Sequence, residues 1–260
     1  MPFIDSHCHL DFEVLSSRLD AVVKAANAQG VTNFVVPSIR LANLDKVLHL
    51  SEQYPQIYYA FGFHPCFMNE HKLEHVEVLR QYCLEYAPCA IGEIGLDFFI
   101  EKDRAARSTQ LQLFEAQLLL AREQNLPVIL HVRKAHDQVL KMLKALKFES
   151  GGIIHAFNGS HEQAIRYTQE FAFKLGFGGA ITHTRATKLR GLVKLLALED
   201  LVLETDAPDM PLANMPQSYN QPANIRAIAQ VIFELRDEDP AQIERQLEHN
   251  TRSCLNFPYA

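Results

Sequence analysis

The chain carries 260 residues, a formal net charge of −6 and 48% hydrophobic residues, ample for one packed core and too apolar for a disordered chain. It has no basic tail or stripe of the kind that grips long duplexes, although a small phosphate-bearing substrate or a chain end stays compatible with this charge. No run approaches the roughly 18 consecutive apolar residues of a spanning helix, so no membrane association is expected.

Asp5 and His7 come too early for a basic region and an apolar signal segment to precede them. The five cysteines, Cys8, Cys66, Cys83, Cys89 and Cys254, form no CxxC pair. They are expected as free thiols in a reducing compartment, which points to the cytoplasm.

Residues 2–8 open the chain as a β-rich run. Residues 18–29 follow with helical spacing, Leu19, Val22, Val23 and Ala26 on one side, Ser17 as N-cap and Gly30 as the stop. Short strands are expected at 32–37, 57–63 and 90–92. A helix is expected at 105–124, where Leu111, Phe114, Leu118 and Ala121 recur at three- and four-residue spacing until Asn125 and Pro127 end it. Strands at 128–131, 152–155, 172–176 and 201–204 then alternate with helices at 135–146, 161–170, 189–198 and 223–234. Asp239-Pro240 opens a last helix reaching about Leu255. Continuous apolar runs such as FVVP and PVILH suit strands covered on both faces. Eight strands alternating with helices predict a single α/β domain over 1–260, a (β/α)8 TIM barrel. A doubly wound open sheet is the alternative, but no GxGxxG follows the first strand and no Walker motif occurs.

Polar residues fall where these strands end. His7 and His9 alternate in DSHCHLD, so both rings share one face, within reach of one ion, with Cys8 opposite as a core thiol. His64, Glu93, His131, His155 and Asp206 follow the third, fourth, fifth, sixth and eighth strands. In a barrel these positions converge on the C-terminal mouth, where such folds place their chemistry. A lone strand-end histidine is more often a solvated or hydrogen-bonded side chain, and Glu93 or Asp206 could instead cap a following helix. The HxH pair tips the balance, because burying it has little structural return. A metal centre is therefore expected.

Four imidazoles and two carboxylates without a thiolate suit Zn2+, Mn2+ or Mg2+. Two divalent cations against two carboxylates would leave net positive charge for an anion such as a phosphodiester. One ion with an aspartate base could equally open an amide or a lactone. Arg133 and Arg185 are candidate phosphate contacts, each with a plain surface role as its alternative. Thr182 and Thr184 share that status. His64 is open as a metal neighbour, a substrate contact or a polar rim residue. His136, His161 and His183 are candidates for approaching a substrate, and residues 209–222 form a candidate substrate loop. Phe98, Phe99, Phe157 and Tyr219 could stack on bases or simply pack the loops.

The blocks DSHCHLDF, GFHP, AIGEIGLDFF, LPVILHVRKAHD, GIIHAFNGS, KLGFGGAIT, LVLETDAPDMPL and NTRSCLNF run in order through the whole chain. They resemble the TatD family of metal-dependent hydrolases and deoxyribonucleases, within the amidohydrolase-like barrels. The resemblance implies that His7, His9 and Asp206 hold one ion, that His131 and His155 hold a second, and that Glu93 bridges them. Asp206 would also orient or deprotonate the attacking water, and His64 would lie near the scissile group without being a primary ligand. Two positions depart from the family pattern. Ala156 stands where Cys, Ser or Gly is common, and Tyr219 replaces a basic residue before the Asn220-Gln221-Pro222 of the late loop, whose Asn220 is a candidate substrate contact.

The function expected is divalent-metal-dependent hydrolysis of phosphodiesters, as a 3′-5′ deoxyribonuclease using Mg2+ or Mn2+, with Zn2+ as an alternative. The expected partner is a DNA 3′ end, a short single strand or a small phosphoester, with no obligate protein partner. A metal-dependent amidase, lactonase or esterase is the second reading. It is disfavoured by Glu93 at the fourth strand, where related barrels often use a lysine on a strand end. A non-catalytic metal-stabilised scaffold is the third.

Overall fold

The computed structural model describes residues 2–215 and 219–257. Its strands are β1 (Phe3–Asp5), β2 (Val31–Pro37), β3 (Ile57–Phe61), β4 (Ala90–Asp97), β5 (Val128–Arg133), β6 (Gly152–Ile154), β7 (Phe173–Phe177) and β8 (Leu201–Leu203). All pair in parallel, in the order β1 to β8 without reversal. The seam between the last and first strands is drawn together as Ser6 N–H donates to Leu203 O at 3.0 Å and Asp206 N–H to His7 O at 2.9 Å. This is the (β/α)8 barrel, and the consecutive order excludes the doubly wound sheet, whose strand order reverses at a switch point.

The helices are α1 (Glu13–Ser16), α2 (Leu19–Ala28), α3 (Leu44–Gln53), α4 (His75–Tyr86), α5 (Arg104–Glu123), α6 (His136–Ala145), α7 (His161–Phe171), α8 (Thr187–Leu195), α9 (Ile225–Leu235) and α10 (Pro240–Cys254). Asp103 caps α5 and Asp239 caps α10, and Ser160 with Gln163 forms a capping box on α7. Ser17 does not cap α2: Arg18 holds the N-cap position and makes no side-chain cap bond. The short helix α1 occupies the chain just before it and takes Ser17 as its own C-cap. Helices α3 and α4 were not expected, although Leu44, Val47 and Leu50, then Val76, Leu79 and Cys83, are buried at helical spacing.

Between helices and barrel lies the main core, with Phe34, Phe61, Phe114, Leu118 and Ile228 among its fully buried members. Each such side chain contributes about 1.5–3 kcal/mol through burial. A smaller cluster takes Ile4, Val35, Ala60, Ala90, Ile129, Ile153 and Val202 from seven of the strands, with Leu255 packed beside them. The chain after α10 is tied to the start of β4, since Asn256 N–H donates to Cys89 O at 2.9 Å. Apolar packing thus fills the strand starts, and the opposite mouth is left for polar groups. Cys8, Cys66, Cys83, Cys89 and Cys254 are free thiols, and among the described residues no helix is long and apolar enough to cross a membrane.

Candidate metal centre

His7 and His9 follow β1 directly. Cys8 between them turns the other way, fully buried, with its Sγ 3.8 Å from Val35 O. Asp5, two residues before His7, does not face the same centre. Its Oδ1 accepts from Thr205 N–H at 2.9 Å and its Oδ2 from the Thr205 hydroxyl at 2.5 Å, fastening β1 to the segment that carries Asp206. Burial pushes the Asp5 carboxyl up to about 8, against the opposing effect of those bonds. Asp206 itself adopts a left-handed backbone, with φ 57°.

β4 runs on to Asp97 rather than stopping at Gly92, so Glu93 lies inside the strand, only 2% exposed. Gly95 makes this possible. At its φ of 145° a Cβ would lie 2.0 Å from His131 O, so only glycine lets β4 and β5 approach closely enough for Glu93 to meet His131.

The Glu93 carboxylate divides its two oxygens between two sets of ring nitrogens. Oε2 lies 3.2 Å from His7 Nε2 and 3.5 Å from His9 Nε2. Those nitrogens are 3.3 Å apart, and Asp206 Oδ1 stands 3.6 and 3.7 Å from them. Oε1 lies 3.2 Å from His131 Nδ1 and 3.1 Å from His155 Nε2, which are themselves 3.4 Å apart. His64 Nε2 also approaches Oε1, at 3.0 Å. Burial pushes Glu93 up, but the imidazoles of His64, His155 and His7 outweigh it and hold the carboxyl well below the usual range.

These spacings fit metal ions. Four donors at about 2.1 Å from a central cation stand about 3.4 Å apart, the edge of a tetrahedron. The set around Oε2 and the set around Oε1 both match that edge, and one carboxylate belongs to both. Hydrogen bonding alone would leave several inward ring nitrogens competing for a single carboxylate.

The outer atoms of the rings show which nitrogen faces inward. His131 Nε2 is 3.0 Å from Asp97 Oδ2, so Nε2–H donates there and Nδ1 is free to face the centre. His155 Nδ1 points toward Glu204 Oε1 at 3.7 Å. Glu204 is fully buried, and its Oε1 accepts from Ala156 N–H at 2.6 Å. Gly176 leaves the space for it, because a Cβ there would meet Glu204 Oε2 at 2.2 Å. Ala156, at φ 44°, serves through its backbone N–H, a bond that does not depend on its side chain. His64 Nδ1 accepts from Cys66 N–H at 3.0 Å, which leaves the proton on Nε2 to donate to Glu93. Burial lowers His64 to about 4 and keeps it neutral. It supports the carboxylate and has no inward lone pair to offer.

A family model for TatD-related DNases matches residues 4–256. The chain belongs to the TatD family. It is 40% identical over 259 residues to the metal-dependent hydrolase YjjV of Escherichia coli strain K12, covering 98% of each chain. The crystal structure of that protein superposes with a TM-score of 0.93 at 39% identity, over 98% of each chain. A 3′-5′ ssDNA/RNA exonuclease TatD of Erwinia billingiae is 31% identical over 246 residues, covering 92% of this chain and 93% of its own. The protein is thus a metal-dependent hydrolase of the TatD family.

Above the histidines of this TatD-family barrel lies a cleft of about 530 Å³ that reaches Phe12, Ile100, Arg133 and Asp209. Arg133 stands at its rim, the guanidinium 3.8 Å from the centre of the half-exposed Phe99 ring. Arg185 is exposed over an adjoining depression with His183 and Pro211, which meets the cleft at Ala180 and Met210. Thr182 Oγ1 donates to Gly179 O and accepts from Ala213 N–H, so it builds the loop. His136 is buried, bonded to Tyr167 Oη and Asn158 Oδ1. Phe157 packs into the core at 2% exposure and forms part of the cleft wall. His161 is exposed at the start of α7. Of the candidate loop 209–222, residues 216–218 lie outside the described residues, while Asp209 and Met210 line the cleft.

Asn220 is taken up by the loop itself. It is fully buried, its amide donating to Thr205 O at 2.8 Å and Met210 O at 3.0 Å, its oxygen accepting from Gln221 N–H and Asn224 Nδ2. It clamps the loop to the strand end that carries Asp206. Asn220→Ala leaves buried carbonyls unpaired and is expected to cost about 2–3 kcal/mol. Urea unfolding checks this, and an unchanged midpoint would refute the clamp.

Proposed function

We propose that the protein is a two-ion phosphodiesterase that removes nucleotides from the 3′ end of single-stranded DNA. The observation that carries this is Glu93, whose two carboxylate oxygens face two separate donor sets. His7, His9 and Asp206 would hold one ion, His131 and His155 the other, with Glu93 shared, and Mg2+ or Mn2+ suits the chemistry better than a thiolate-loving metal. When bound, such ions supply Lewis-acid charge at the scissile phosphate and make a water acidic enough to ionise near neutral pH.

The chain's own groups do the rest. Asp206 lines the cleft and takes the proton of the attacking water on the carboxylate oxygen that is not turned to His7 and His9. His64 Nε2–H fixes how Glu93 divides its oxygens. Arg133, held flat on Phe99, offers paired donors to a phosphate at the rim. A cleft of about 530 Å³ has room for a nucleotide-sized group, and the name of the Erwinia billingiae relative points to a single-stranded nucleic acid substrate.

Burial raises Asp206 to about 6, against the lowering effect of His155 and His9, and cations bound beside it pull that value down. A base must be unprotonated to act. kcat/KM is therefore expected to rise with pH through an acid limb centred at or below about 6. Asp206→Asn is expected to lose on the order of 10²-fold in turnover and to abolish that limb. An unchanged limb in the variant would assign the base elsewhere.

The deciding experiment takes metal-stripped protein and a 5′-labelled single-stranded oligonucleotide, with Mg2+, Mn2+ or Zn2+ restored in turn. A ladder shortening stepwise from the 3′ end is expected. Metal-restored protein that leaves the strand intact but turns over a panel of amides or lactones would sink the phosphodiesterase reading.

A further inference from the structure

One thiol beside the centre takes no part in the scheme above. Cys66, in the turn after His64, is a partly exposed thiol lining the cleft. Its Sγ lies 3.7 Å from Asp97 Oδ2, which in turn lies 3.0 Å from His131 Nε2. Ligand atoms of His64, Cys66 and His131 all fall within 4.8 Å of one another. Sulfur, carboxylate oxygen and imidazole nitrogen are thus gathered at the rim, on the side of His131 turned away from Glu93.

This donor set differs in kind from the inner one. The inner donors are nitrogen and oxygen, whereas a thiolate selects soft ions such as Zn2+ or Cd2+ over Mg2+ and Mn2+. We propose that Cys66, Asp97 and His131 form a third cation site that takes a soft divalent ion, and that filling it inhibits the enzyme. The inhibition, though not the site, rests on the reading that His131 Nδ1 serves an inner ion. The ion enters as the Cys66 S–H bond breaks and an S–metal bond forms, the proton leaving to solvent. His131 Nε2 cannot donate its hydrogen to Asp97 and also offer a lone pair to an ion. When the rim ion takes Nε2, that N–H bond breaks and the ring takes up a proton on Nδ1, so His131 no longer offers the inner site a lone pair and Asp97 turns to the rim ion. Excess zinc then acts against the activity that Mg2+ or Mn2+ supports.

The test titrates Cd2+ into protein already saturated with Mn2+ and reads the ultraviolet thiolate-to-cadmium charge-transfer band together with bound cadmium. One equivalent of cadmium with a band is expected for the native chain, and neither for Cys66→Ser, which retains the other four cysteines. Turnover on the labelled oligonucleotide is expected to fall in step with the band. Measured against the variant's own Mn2+-supported rate, the half-inhibiting Cd2+ or Zn2+ concentration of Cys66→Ser is raised at least tenfold. A band that persists in Cys66→Ser, or native protein with no band, overturns the site. A band without inhibition overturns the inhibitory role. Should the oligonucleotide prove not to be a substrate, the band and the bound cadmium still decide the site, so its failure is distinguishable from failure of the nuclease reading.

Discussion

Glu93→Gln is expected to reduce turnover by a factor on the order of 10³ while leaving the barrel folded. The substitution keeps the side chain's volume in a position 2% exposed, so packing around β4 is preserved. What changes is charge and donor character. The carboxylate meets His7 and His9 through one oxygen and His64, His131 and His155 through the other. An amide presents an oxygen to only one of those sets and an NH2 group to the other. One cation is then held without its anionic partner, and the other meets a donor where it needs a lone pair. Bound-metal analysis of the variant should show loss of at least one ion per chain, with near-native circular dichroism. Full activity with full metal content would end the shared-carboxylate scheme.

The alternation of strands and helices was readable because each β-rich run is closed by Gly, Pro, Asn or a polar residue, and each helix keeps apolar residues at three- and four-residue spacing. The convergence of His7, His9, Glu93, His131, His155 and Asp206 followed from the same pattern, since parallel strands all end at one mouth. What escaped were the groups that orient those rings. Asp97 sits four residues past Glu93, beyond two residues, Gly92 and Gly95, that signal the end of a strand. The strand continues because Gly95 allows close pairing with β5, which a single sequence does not announce. Glu204 stands two residues before Asp206 and shares its alternation, a signal that was available. Asn220 misled in the opposite sense. A polar residue in a long loop suggests exposure, but its amide satisfies backbone carbonyls that the loop buries when it folds over the strand end.

Asp97→Asn is expected to act almost as strongly as loss of His131 itself, through a change of tautomer. Asp97 Oδ1 accepts the backbone N–H groups of Phe99 and Ile100, each at 2.9 Å, and Oδ2 accepts from His131 Nε2 at 3.0 Å. The His131 bond and those two N–H groups hold Asp97 at about 2, despite burial, which raises it. In the asparagine variant the amide oxygen stays with the two N–H groups, and the NH2 group is turned toward His131. Nε2 must then accept, and the ring proton moves to Nδ1, the atom that faces Glu93 and the inner site. A ring in that tautomer has no inward lone pair, so the second ion loses a ligand although the ring has not moved. Wrong-tautomer substitutions of this kind cost on the order of 10³–10⁴ in turnover, and outer-sphere changes weaken metal affinity by about 10–100-fold. Ring 15N shifts of His131 in metal-free protein should show the proton moving from Nε2 to Nδ1, a readout that simple loosening of the β4–α5 turn would not produce. Asp97→Glu, which restores an acceptor at a shifted position, should recover part of the affinity. An unchanged tautomer with native metal affinity would reduce Asp97 to a turn-capping residue.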